Sequence, residues 1–119
     1  MRDLNIPRTP SAYDYPLLIG HLLSTLEVSH PHQQIVYADQ RRISYLEFHE
    51  RVKRLANALV DLGVQPGDTV AVMDWDTHRY LECFFAVPMI GAVLHTINIR
   101  LSPEQILYTV NHAADTVLM

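Results

Sequence analysis

The segment GAVLHTINIRLSPEQI, residues 91 to 106, decides how the chain is read. It leaves a glycine, runs through a short apolar stretch, turns at polar residues and closes on S-P-E-Q. A brief apolar run bounded by turn residues is the pattern of a strand buried in a sheet. Ser102 with Gln105 three positions later is the spacing of a capping box, in which each side chain satisfies a backbone donor at a helix start. Pro103 sits where a missing N–H costs nothing, the first helical position. The segment therefore predicts a strand followed by a helix, whose apolar face is Ile106, Leu107, Val110 and Ala113.

Reading outward extends the alternation. TVAVMD, residues 69 to 74, is another unbroken apolar run, and a helix is expected from about Thr77 to Ile90. Its polar sector is confined to His78, Arg79 and Glu82, so it should be covered on most sides. Pro88 removes one backbone bond near its end. On the carboxyl side, DTVLM begins a third strand. The order β-α-β-α-β over residues 69 to 119 implies a parallel sheet layered with helices and joined by right-handed crossovers.

Ahead of that unit, Leu17 to Val28 reads as a helix, with Gly20 inside it at a cost of about 1 kcal/mol relative to alanine. QIVYADQRRIS alternates and turns polar at Asp39 to Arg41, as a short hairpin does. Ser44 and Glu47 form a second capping box, followed by the stripe Phe48, Val52, Leu55, Leu59 and Leu62 until Gly63 stops the helix. QPGD is a turn. Residues 1 to 16, with Pro7, Pro10 and Pro16, read as an extended arm. The fold class expected is α/β: a partial doubly wound parallel sheet preceded by a helix and a short β-hairpin, occupying residues 17 to 119. Three strands are few for such a sheet, and Val117-Leu118-Met119 would leave an adhesive edge. The chain is thus expected to be an incomplete portion of a larger domain.

Bulk properties narrow the function classes. The chain has 119 residues, 49% hydrophobic and 18% charged, the balance of a compact globular domain. A net charge of −4 with scattered basic residues argues against nucleic acid or an anionic membrane as partner. No secretory h-region is present. The apolar stretch Tyr80 to Ile99 is interrupted by Glu82, Pro88, Gly91, His95 and Asn98, so no transmembrane segment is expected. Cys83 is alone and fits a reducing compartment, and a cytoplasmic location is expected.

Candidate chemistry is sparse. Gly20, Gly63, Gly67 and Gly91 are dispersed and build no phosphate cradle. Lys53, the sole lysine, projects from the polar face of its helix as a solvated charge. His21, His30, His32, His49, His78, His95 and His112 lack metal-ligand spacing; His30-Pro31-His32 reads as a turn, and His95, in an expected central strand, as a core histidine with a partner. Asp74 and Asp76 end the first parallel strand, where open α/β sheets bind ligands, and could hold Mg²⁺; the simpler role is that Asp76 or Thr77 caps the next helix. Asn98 and Arg100 share that edge and could contact an anionic substrate; the simpler reading puts Asn98 in a turn and Arg100 at the surface ahead of the Ser102 cap. Trp75, Phe84 and Phe85 are expected to pack the core, and Cys83 to be an inert filler. No catalytic, cofactor-binding or metal residue is assigned.

Taken together, ISYLEFHERVKRLANALVDLGVQPGDTVAVM, YLECFFAVPMIGAVLHTINIRLSPEQILYTVNHAADTVLM and the leader AYDYPLLI resemble the amino-terminal part of AMP-forming fatty acyl-CoA ligases. GAVLHTINIRLSPEQI points to the medium- and long-chain branch, with Ile99 where many relatives carry proline. The resemblance implies a parent enzyme that activates a fatty acid with Mg·ATP to an acyl-adenylate and transfers it to coenzyme A. It also implies a chain that binds none of ATP, Mg²⁺ or coenzyme A alone. The family's phosphate loop, ribose aspartate and adenylation lysine have no match here, so no catalytic role carries over. The remainder of the parent is the implied partner, and the arm is a possible homodimer contact. Two other readings stay open: a receiver-like binding module using Asp74 and Asp76, and a structural domain that dimerises through its last strand.

Overall fold

The computed structural model describes residues 9–13 and 15–119. Its elements run α1 (Gly20–Ser29), β1 (Gln34–Tyr37), β2 (Arg41–Ser44), α2 (Tyr45–Asp61), β3 (Thr69–Val72), α3 (His78–Met89), β4 (Val93–Thr96), α4 (Pro103–Ala113) and β5 (Val117–Leu118). Strands β1 and β2 pair antiparallel, and β4-β3-β5 form a parallel sheet with β3 in the middle. The α/β class, the leading helix and hairpin, and the β-α-β-α-β order are all present.

Most of the expected arm lies outside the described residues, Pro7 included. What is described is not straight: Thr9 O accepts from Ala12 N at 2.9 Å, closing a turn at Pro10. Helix α1 starts at Gly20 rather than Leu17. The glycine is thus the first helical residue, where flexibility costs less than in a helix interior, and Leu17 is left 94% exposed.

Helix α2 shows how the local signals work. Ser44 Oγ accepts from Glu47 N at 3.1 Å, but Glu47 does not complete the box; its carboxylate stands 3.8 Å from Arg41. At the other end Gly63, at φ +95°, donates to Val60 O while Val64 N reaches back to Leu59 O. These are the two bonds of a left-handed helix stop, and they fold buried Val64 against buried Leu59. The stripe that faces inward is Phe48, His49, Val52, Ala56 and Leu59. Leu62, expected on it, lies past the last turn and is 72% exposed.

Three patches of core follow. Leu23, Ile43, Phe48, Val52 and Ala86 fill the space among α1, the hairpin, α2 and α3. Leu59, Val64, Val70, Val87 and Ala92 join α2 and α3 to the sheet. Val72, Tyr80 and Cys83 close its carboxyl end. Phe85 meets Phe48 edge-on with ring centroids 5.5 Å apart, a favourable geometry for two aromatic quadrupoles.

Helix α3 is less enclosed than its sequence suggests, because Leu81, Phe84 and Met89 remain partly exposed. Glu82 goes the other way: it is buried, and its carboxylate takes two bonds from Arg51 of α2, at 2.6 and 3.2 Å. An acidic residue can sit there because the planar guanidinium satisfies both oxygens.

Two tight turns stitch the amino ends of β3 and β4. Gly67 N donates to Gly91 O at 2.8 Å, and a Cβ on Gly91, at φ +80°, would stand 3.2 Å from Pro66 Cβ. Helix α4 carries the complete capping box between Ser102 and Gln105, as the sequence predicts. It nevertheless buries no side chain: Ile106, Val110 and Ala113 are half-covered and Leu107, expected on the same face, is 62% exposed.

Candidate functional site

The polar residues singled out from the sequence converge at the carboxyl ends of β3 and β4. Beyond Val72 the chain passes through Met73 to Asp76, and Asp76 takes a left-handed φ of +55°, a conformation that aspartate tolerates better than most residues. Thr77 is the cap of α3, accepting from Arg79 N at 3.2 Å. Asp74 holds the turn together: one carboxylate oxygen accepts from Trp75 N at 2.7 Å, the other from the Thr77 hydroxyl. On the neighbouring strand, Asn98 Oδ1 accepts from Arg100 N at 3.0 Å. Asn98 is therefore a turn residue and Arg100 an exposed one, as the sequence reading had them.

Asp74, Trp75, Asp76, Tyr80, Asn98 and Arg100 surround a cleft of about 180 Å³. Trp75 corrects an expectation. It is 69% exposed rather than packed in the core, because the left-handed residue after it turns the chain outward before α3 begins. The Arg100 guanidinium carbon lies 5.9 Å from its ring centroid, within reach of a cation–π contact. Burial raises the Tyr80 phenol above its usual pKa of 10, against a smaller opposite effect from a hydrogen bond with Thr96, so the hydroxyl keeps its proton at neutral pH. The cleft thus offers an indole face, a guanidinium, a phenol and two carboxylates.

Both oxygens of Asp74 are already engaged in its own turn, and no group of three histidine, cysteine or acidic side chains converges among the described residues. The left-handed glycines 63, 67 and 91 lie in the turns leading into β3 and β4, at the opposite end of the sheet.

The remaining candidates fall into structural roles. Lys53 is exposed beside Glu50 at 3.0 Å, and its ammonium, through hydrogen bond and charge, lowers the Glu50 carboxyl below its ordinary value. Cys83 is buried, and loss of solvent pushes its thiol up to about 11, which leaves no thiolate for chemistry at neutral pH. His95 lies on β4, an edge strand rather than the central one. Its Nδ1 is 2.8 and 3.0 Å from the carboxylate oxygens of Asp115, whose side chain is 1% exposed. His49 Nδ1 stands 2.8 Å from Glu27 Oε2, close enough for an ion pair though not aligned as a hydrogen bond. His30-Pro31-His32 forms the expected turn, Gln33 N donating to His30 O.

The surroundings of one residue escaped the sequence reading, which placed His78 only in the polar sector of its helix. His78 begins α3, its ring 5.4 Å from that of Tyr37, and neither ring nitrogen has a partner among the described residues. The pairing of a strand residue with one 41 positions later leaves no local pattern.

The parallel α/β layer matches the amino-terminal subdomain of adenylate-forming ligases. The chain belongs to the AMP-binding enzyme family, whose profile matches residues 26–119. The long-chain-fatty-acid–CoA ligase of Thermus thermophilus is 51% identical over 66% of this chain and 14% of its own length. The medium-chain-fatty-acid–CoA ligase of Ectopseudomonas oleovorans is 37% identical over 87% of this chain and 20% of its own. Among solved structures, a long-chain-fatty-acid CoA ligase from Rhodopseudomonas palustris superimposes with a TM-score of 0.80 at 27% identity, covering 85% of this chain and 26% of that one. The chain therefore spans about a fifth or less of the curated relatives it matches.

Proposed function

We propose that this chain supplies the first α/β layer of a fatty acyl-CoA ligase. Its parent activates a fatty acid with Mg·ATP to an acyl-adenylate and passes the acyl group to coenzyme A. The observation that carries this reading is the family match across residues 26–119, together with relatives named as medium- and long-chain ligases. Within that enzyme these residues are scaffold. They set the sheet edge on which the nucleotide-handling segments are laid, and they contribute the Trp75–Arg100 cleft beside it. The chain alone binds neither ATP nor coenzyme A productively, because Lys53 is a surface charge and Asp74 is committed to its turn. Its working partner is the remainder of the ligase, in the cytoplasm, where the single thiol of Cys83 stays reduced.

Fatty-acid-dependent exchange between ATP and pyrophosphate tests the reading. The expected result is exchange by a longer polypeptide that includes a phosphate loop and none by these 119 residues. Turnover by the short chain refutes the scaffold role. The arm is proposed as a homodimer contact, and deletion of residues 1 to 16 is expected to lower the mass measured by light scattering.

A further inference from the structure

The hairpin β1–β2 is held differently at its two ends. Toward its base, Ile35 and Ile43 pair across the strands, and buried Ile43 joins the core with Leu23 and Phe48. At its tip, Tyr37 leads into a turn in which Ala38 takes a left-handed φ of +45° and Gln40 N donates to Tyr37 O at 3.2 Å. No core residue anchors that turn. Instead the Tyr37 ring rests on the ring of His78, with centroids 5.4 Å apart and planes inclined at 48°. Tyr37 and Gln40 also help to line a cavity of about 610 Å³, together with Arg79 and Glu82 of α3. The seat of the tip is thus a single histidine.

That histidine is poorly placed to carry a charge. Both its ring nitrogens are shut off from water and lack a hydrogen-bond partner among the described residues. A neutral imidazole bears this as any polar group does, whereas an imidazolium would bury a charge with two donors unanswered. The surroundings repel it as well. His78 is the first residue of the 12-residue α3, where the free N–H groups of a helix carry partial positive charge. Arg41 faces it from the hairpin, Arg51 from α2 and Arg79 from α3. Glu82 opposes them, but both its oxygens are taken by Arg51, and Asp74 spends its own on Trp75 N and Thr77. The face of Tyr37 attracts a cation, weakly beside the cost of burying one. Loss of solvent above all, and after it the three arginines, hold the imidazole below its ordinary pKa of 6.5 against the pull of Glu82.

We infer that the hairpin tip is an acid-released flap: protonation of His78 unseats Tyr37 and swings residues 37 to 41 off α3, widening the cavity mouth while Ile43 keeps the base in place. Above pH 6.5 the ring is neutral whether the tip is seated or free, so pH leaves the balance alone. Below it, the solvated ring of the free form takes up a proton that the seated ring refuses. The balance then moves towards release until the seated ring titrates too. One proton limits this shift to about tenfold per pH unit. The flap asks nothing of adenylation, so exchange activity does not decide it.

Proton NMR of the whole chain, followed from about pH 7.5 to 5 across the histidine range, tests the device. The His78 ring is expected to titrate with a midpoint below 6.5. The cross-relaxation contact between the Tyr37 and His78 rings should fade with that same midpoint, while the contact between Phe48 and Phe85 in the core persists. Arg41→Gln should move the midpoint upward, and His112→Gln, at an exposed residue of α4, should leave it in place. In His78→Phe, which keeps a ring but cannot take a proton, the contact with Tyr37 should survive in acid. A His78 midpoint at or above 6.5 overturns the proposal, as does a ring contact that outlasts the titration. Loss of the contact in acidified His78→Phe, or fading of Phe48–Phe85 in step with Tyr37–His78, overturns it equally.

Discussion

Helices α2 and α4 start alike, each with a serine hydroxyl accepting from the backbone N–H three residues on, yet α2 buries five side chains along 17 residues and α4 none along 11. They also stop differently. The left-handed residue after α2 is Gly63, with open space around it, whereas α4 ends on Ala114 at φ +53°. A cap contributes about 1 kcal/mol, and each fully buried aliphatic side chain about 1.5 to 3 kcal/mol. Local signals therefore fix where both helices begin, while the rest of the molecule holds α2 by fully buried side chains and α4 only by half-covered ones. Helix α4 is expected to open well below the global unfolding free energy.

Substitutions can break or sharpen this contrast. The largest effect belongs to Leu59→Ala, at 1% exposure, which should cost about 2 to 5 kcal/mol in urea unfolding. A loss no greater than that of a surface leucine would dissolve the distinction. Next comes Gly63→Ala. With nothing near its missing Cβ, the cost is conformational alone, about 1 to 2 kcal/mol, seen as a lower denaturation midpoint. The reverse change at the other helix end, Ala114→Gly, should gain about 0.5 kcal/mol, read as slower amide exchange in α4. Smallest is Leu107→Ala, 62% exposed, within about 0.5 kcal/mol of the parent chain. A larger loss would show that α4 is anchored by that leucine after all.

The same contrast explains what could be read from the sequence. Ser44, Thr77, Ser102 and Gly63 act on backbone groups within three or four residues, so their signals are written locally and the element order follows from them. Burial is not local. Periodicity puts Leu59 and Leu62 on one stripe, but Leu62 falls just past the last turn. It puts Glu82 in a polar sector, but Arg51, 31 residues earlier, draws it inside. Trp75 looks like core by its chemistry and is turned outward by the backbone at Asp76. Of the candidate cleft, Asp74, Asp76, Asn98 and Arg100 were legible as a group, since the ends of adjacent parallel strands must lie together. Tyr80 and the role of Trp75 were not, because both depend on how one turn is wound.

The stitch between Gly67 and Gly91 gives the sheet a closed heel and an open toe. At that end the strands are held by backbone groups in turns that face away from the cleft, so the registry of β3 against β4 does not depend on the side chains that line it. This half of the molecule is thus built so that its chemistry can be rewritten while its frame stays put.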